Sequence, residues 1–176
     1  MFNEFLNQIS NSDLRNVASH WIEARGPKLM PAWADINPKA IAKQLKYTWA
    51  YHYRREDRSF IGRLAGTFIE TRVHQSFHGH TMEEMFSGSE LEWIKRCCQR
   101  VVDSKALHCG SGGMATIVHP LGVGERIVMP LSTDGSNVDG VIGATVYPES
   151  VETSVMDFYE REFWLPLDVV NLKKSP

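Results

Sequence analysis

The chain is poor in the residues that would announce a chemistry. Cysteine is scarce: Cys97, Cys98 and Cys109 are all there are. Their odd number argues against a disulfide framework. Ser10-Asn-Ser-Asp13 interrupts the N-terminus, so no apolar signal core follows Met1, and a reducing cytoplasm is the expected setting. Cys97 and Cys98 are adjacent on a predicted helix and point in different directions, which excludes the usual redox or zinc pair. No apolar run approaches the roughly 20 residues needed to cross a bilayer, so no membrane partner is expected. Charge of one sign is also missing. The formal net charge is -2 and no basic run occurs, so no nucleic-acid partner is expected. Gly110-Ser-Gly-Gly113 lacks the Lys-Ser/Thr pair and the strand-to-helix setting of a phosphate loop. Ser111, His108 and Asp103 lie near one another in sequence, but that is not triad geometry.

What is present is the patterning of a soluble domain. Hydrophobic residues make up 43% and charged residues 23%, enough apolar content for a real core in 176 residues. Phe2, Phe5, Leu6 and Ile9 recur at helical spacing, and Leu14, Val17, Ala18, Trp21 and Ile22 form a second stripe with Ser12 as its expected N-cap. Asn37-Pro38 predicts a further short helix to about Leu45. Tyr47, Trp49, Tyr51 and Tyr53 then alternate with Thr48, Ala50 and His52, which is strand periodicity. Arg54-Arg-Glu-Asp-Arg58 reads as a charged turn into a second strand, Phe60 to Gly66. Capping-box patterns at Thr81/Glu84 and Ser89/Glu92 predict two helices, the second carrying Leu91, Ile94, Cys98, Val101 and Val102 on one face. In the last third, two apolar runs flank the polar turn Ser132-Thr-Asp-Gly-Ser-Asn137, a β-hairpin signature. Val151 to about Trp164 carries Val155, Phe158, Tyr159 and Phe163 as an apolar stripe and predicts a final helix. Strands grouped at both ends with helices between them read as α+β.

That order resembles a PAS domain, and the residues resemble its PAS_5 branch of small bacterial proteins. Met30-Pro31 and Asp35-Ile-Asn-Pro38 are similar to the segment that opens the pattern. Arg63-Leu-Ala-Gly-Thr67 is similar to its second strand, and Gly79-His-Thr-Met-Glu-Glu-Met-Phe86 to its link into a helix. Met129-Pro-Leu-Ser-Thr-Asp-Gly135 with Val138-Asp139 is similar to its closing hairpin. The resemblance implies a five-stranded antiparallel sheet with short inserted helices and a sensory or regulatory role; it implies no activity. The expected strands are 46–53, 59–66, 106–118, 125–132 and 138–147. The expected divisions are an N-terminal helical extension (1–28), a PAS-like domain (29–149) and a C-terminal helix with tail (150–176).

Candidate ligand-binding residues are Arg63, Tyr47, Trp49, Trp93, His108 and Met129. Arg63, inside a strand, reads first as a structural partner of Asp35 or Asp139 and second as an anion grip. The aromatic strand reads as packing or as a cavity lining. His78 and His80 are weak metal or haem candidates, since no acid or cysteine at zinc spacing accompanies them. Cys98 reads as inert on its apolar helix face. The expected function is a non-enzymatic regulator acting through a small organic ligand, through protein contact, or both. A separate output domain does not fit in 176 residues, so a protein partner and a homodimer are expected, with the N-terminal stripes and the aromatic strand as association surfaces. The alternatives are a small enzyme using Arg63 with a histidine such as His108, and a haem or metal sensor through His78 or His80.

Overall fold

The computed structural model describes residues 2–71, 73, 76–112, 124–147 and 161–168. One antiparallel sheet organises them, with strand order β2-β1-β5-β4-β3-β6. The strands are β1 (Thr48–Arg54), β2 (Ser59–Ala65), β3 (Ala106–Gly112), β4 (Gly124–Leu131), β5 (Gly140–Val146) and β6 (Arg161–Pro166). Helices α1 (Phe2–Gln8) and α2 (Ser12–Arg25) cover one face. Short helices α3 (Thr67–Glu70) and α4 (Met82–Met85) and the long α5 (Gly88–Ser104) lie between β2 and β3 in sequence. Helix α5 covers the opposite face.

Alternation along each strand decides which residues meet which cover. Ala50 of β1, Ile127, Met129 and Leu131 of β4, and Ile142 and Ala144 of β5 face α1 and α2, joining Phe5, Ile9, Leu14, Val17, Ala18 and Trp21. The centres of the α1 and α2 stripes are therefore inside the molecule, with Phe2, Leu6 and Ile22 partly exposed at their margins. Two polar fastenings hold these helices in place. Trp21 donates its indole N–H to the Pro130 carbonyl at 2.9 Å. Pairing of β4 with β3 stops at Val128, so Pro130 sits beyond the last β3 partner, where its missing N–H leaves no gap in the ladder. The Glu125 carboxylate accepts the backbone N–H groups of Ser10 (2.6 Å) and Asn11 (2.7 Å) at the mouth of α2.

Local expectations were revised at several places. Asn11, not Ser12, caps α2: its side-chain oxygen accepts from Asp13 and Leu14 N–H at 2.9 and 3.2 Å. Ser87 is the N-cap of α5, two residues ahead of the expected Ser89/Glu92 box, while Thr81 and Glu84 form the capping box as read. Residues 38–44 are turns and not a helix, closing in a 3-10 turn at Leu45–Tyr47. Tyr47 consequently precedes β1. The third strand ends at Gly112; its expected continuation to Val118 lies outside the described residues. The largest correction is at the C-terminal end. Phe163 and Trp164, read as the end of a helix, lie in β6, paired with β3 from Ala106↔Pro166 to Ser111↔Arg161. A vacant sheet edge with unpaired backbone groups outweighs the short helical stripe there. Residues 151–160 of that expected helix are outside the described residues.

Replacing Glu125 by Ala is expected to loosen α2 at its mouth and lower stability by about 1–2 kcal/mol, the scale of hydrogen bonds to a partly exposed carboxylate. Urea unfolding of E125A beside E125Q checks this, with the amide losing less.

Candidate functional site

The face under α5 has an aromatic half and a polar half. In the aromatic half, Trp49, Tyr51 and Tyr53 point from β1 towards Cys97, Cys98 and Val101 of α5, with Phe60, Phe77, Met82 and Met85 closing the sides. The Tyr51 ring lies 4.9 Å from Phe77 and 5.6 Å from Trp49, and Tyr53 lies 4.9 Å from Phe60. Burial pushes the Tyr51 hydroxyl well above its ordinary range. The Trp49 indole crosses the bare Cα of Gly143 on β5; a methyl group there would sit 2.3 Å from the ring. The same indole donates to Thr145 Oγ1 at 3.0 Å. Of the two readings of the aromatic strand, the contacts here are those of packing, ring against ring.

The polar half is built from β3, β4, β6 and α5. His108 on β3 is fully buried, with Trp164 of β6 at 4.2 Å from its ring. Its Nδ1 faces Cys97 Sγ at 3.6 Å, and its Nε2 faces Glu162 Oε1 at 3.6 Å. We assign the Nε2-protonated tautomer, with the thiol donating to Nδ1, because only that arrangement serves both neighbours. Arg126 of β4 is buried, stacks on Trp93 of α5 at 3.8 Å, and points an Nη towards Glu162 at 3.8 Å. Arg100 lies over Trp164 at 4.0 Å. Burial lowers the His108 pKa, against the pull of the nearby Glu162 carboxylate. The Glu162 carboxyl is brought down to about 2, first by the neighbouring His108. Cys97, His108 and Glu162 have the order of a nucleophile, base and orienting acid, but the thiol is 5% exposed and burial holds its pKa up at about 12. Such a thiol is neutral at physiological pH and a poor nucleophile.

The remaining candidates fall elsewhere. Met129 is buried on the opposite face, under the N-terminal helices. Tyr47 packs edge-on against Phe68 at 5.1 Å, beside the sheet. Arg63 is exposed on β2 and stacks on Trp33 at 4.3 Å. The expected partners of Arg63 are engaged otherwise: Asp35 pairs with Lys28 at 2.7 Å, and Asp139 accepts from Thr133 N–H at 2.8 Å. Strands β2 and β3 stand at positions one and five of the sheet. At ~4.8 Å per strand, Arg63 and His108 are about 19 Å apart and share no cavity. The histidine near Arg63 is His78, whose Nδ1 donates to the Arg63 carbonyl at 2.9 Å on the surface. Among the described residues, no three His, Cys, Asp or Glu side chains come together as a metal site. An open groove of about 410 Å³ runs between the two hairpin turns, lined in part by Arg54, Arg55, Asp134 and Asp139. Its polar groups serve the turns: Arg55 donates to the Val138 carbonyl, and Asp134 accepts from Ser136 and Asn137 N–H. Sequence reasoning missed Arg126, Glu162 and Trp164. Arg126 could have been found, because it shares the strand parity of Val128, between residues of the opposite face. Glu162 and Trp164 could not, because the segment read as helix.

Five strands, helices inserted after the second, and helices packed on the outer face give the described residues a recognisable plan. A family model described as a PAS domain, PAS_5, matches residues 9–146, more than three quarters of the chain. The chain belongs to the PAS domain family. No curated protein and no solved structure matches it. PAS domains are sensory and regulatory modules, and the α+β sheet with its helices fits that family; here β6 adds a sixth strand. Among the described residues no helix is long and apolar enough to cross a membrane.

The folded-state pKa of His108 lies below its unfolded value of about 6.5, so unfolding takes up a proton in acid. Its contribution is fully present above that pH and is lost as the pH falls through it. Stability should start to fall as the pH drops below about 6.5, and His108→Phe should flatten that slope whatever its absolute stability. Urea midpoints across the pH series read the difference. Burial also raises the Cys109 pKa to about 12 and that of Cys98 well above the ordinary value. At about pH 8 the native protein should resist Ellman's reagent, and unfolding should release all three thiols. Gly143→Ala is expected to cost about 2 kcal/mol by driving Trp49 from its seat, read as a lower thermal midpoint and altered Trp fluorescence.

Proposed function

We propose that this PAS chain is a non-enzymatic regulatory module that works mainly by contact with another protein. The observation that supports the reading is the filled aromatic half of the inner face, where Trp49, Tyr51, Phe60 and Phe77 take the space a ligand would need. The chemistry of the polar half supports it too, since its thiol and imidazole are buried and held neutral. Self-association belongs to the proposal and would use surfaces other than the centres of the α1 and α2 stripes and the β1 aromatics, which are internal. A cytoplasmic setting accords with three unpaired thiols.

A second reading, sensing of a small organic ligand, draws on one observation. The Nε2 of fully buried His108 has no hydrogen-bond partner within normal range, its nearest acceptor standing at 3.6 Å. A ligand there would meet His108, Trp93 and Arg126.

Native mass spectrometry of the freshly purified protein separates the two. The protein-contact reading expects the mass of the polypeptide, alone or self-associated, with no organic adduct. A stoichiometric small-molecule adduct would transfer the case to ligand sensing, and turnover of such a molecule would overturn the non-enzymatic reading.

A further inference from the structure

Strand β6 forms one edge of the sheet, as β2 forms the other. It lies beyond the family-matched residues, which contain all of β1 to β5, so the five-stranded sheet is complete without it. Among the described residues it pairs with β3 alone. Its inner-face side chains, Glu162 and Trp164, meet the domain through polar and stacking contacts: Glu162 towards His108 and Arg126 at 3.6 and 3.8 Å, and Trp164 between His108 and Arg100. Glu162 keeps 32% of its side chain exposed, and Phe163 and Trp164 are only half-buried; on the other side Leu165, and Leu167 just beyond the strand, are buried in the core with Phe5. By contrast every residue of β4 from Arg126 to Leu131 is buried.

The receiving edge is shaped for such an occupant. Gly110 stands opposite Glu162, and a methyl group there would lie 2.9 Å from the Arg161 carbonyl and 3.2 Å from the His108 ring. The imidazole of His108 stands opposite Trp164 and offers it a flat stacking surface. Arg126 and Arg100 supply positive charge on the same side, suited to a carboxylate two residues ahead of an indole. A bare β3 edge would leave a row of backbone N–H and C=O groups without partners, so a strand belongs there. Nothing in the contacts requires that strand to be covalently part of the same domain.

We propose that the β3 edge is a strand-addition site for an extended protein segment carrying a carboxylate two residues before a tryptophan, and that β6 is its resident, exchangeable occupant. This deepens the protein-contact reading above and rests on it. A partner segment of the same pattern would pair its backbone with β3 and place its own carboxylate and indole against His108 and Arg126, displacing β6. The chain's own segment thereby holds the site closed until a competitor arrives.

The first test uses the native full-length protein. Amide exchange followed residue by residue by NMR should show β3 amides bonded to β6 exchanging well ahead of those bonded to β4. Equal protection of the two sets would overturn the proposal. The second test adds a fluorescein-labelled peptide with the sequence of Arg161 to Asp168. It should bind full-length E162A/W164A, whose own strand competes poorly, at least about tenfold more tightly than wild type, because a resident occupant lowers the fraction of competent sites. The same peptide with both Glu and Trp replaced by Ala should lose that binding. Equal binding of the two peptides, or none to a variant that still unfolds cooperatively, would rule the site out. If E162A/W164A does not fold, the exchange measurement on the native protein decides alone. Failure here would leave the regulatory reading standing, whereas an organic adduct or turnover would sink that reading without touching β3.

Discussion

The indole of Trp49 lies across the bare Cα of Gly143, and the inner half of the molecule is arranged around that contact. The ring can reach Thr145 only because β5 carries no side chain at Gly143. Once it is there, Tyr51 and Tyr53 follow on the same face by strand alternation, and α5 has an apolar bed for Cys97, Cys98 and Val101. The opposite face of the same strands offers smaller residues, Ala50 and Ala144, on which α2 and its buried Trp21 can approach closely. A single sheet covered on both sides thus carries two different kinds of core, one aromatic and one aliphatic.

The same geometry separates packing from polar recognition. The rings take the β1 side of the inner face, and the buried polar residues are gathered at the β3 end, where the sheet of the family model would stop. There the cost of burying His108 and Arg126 is offset by Glu162, which arrives from a strand outside the matched region. Charge that would be expensive alone becomes tolerable when β6 is in place. Polar burial and strand pairing therefore support each other at that edge.

Much of this plan was legible in the sequence. The alternation of Tyr51 and Tyr53 with Ala50 and His52 placed β1, and the Asp134-Gly135-Asn137 cluster marked the turn between β4 and β5 as a turn and not a site. Gly135 takes a positive φ of 76°, and Asp134 accepts the hydrogen bonds that close the loop, as those residue types predict. Candidate site residues were less legible. Trp49, Trp93 and His108 do share the inner face, but Met129 differs from Val128 by one position and so faces the other way. Arg63 inside a strand could be an outward charge or a grip on a carboxylate; β2 is an edge, and the guanidinium is exposed, stacked over Trp33.

By itself the sequence determined the α+β class, the strands of the PAS-like sheet and the polar turns, because periodicity and turn chemistry are local properties of neighbouring residues. The sequence itself holds no phosphate-loop motif and no apolar run of membrane length. Only the tertiary structure decided that the aromatic strand is internal packing, that Arg63 and His108 stand on the first and fifth strands of the sheet, and that Arg161–Pro166 is a strand. Those outcomes depend on which residues meet across the sheet. The helical stripe at Phe163 yields to β3 because an edge with unsatisfied backbone groups, a buried imidazole and a buried guanidinium gains more from an extended neighbour than from a helix.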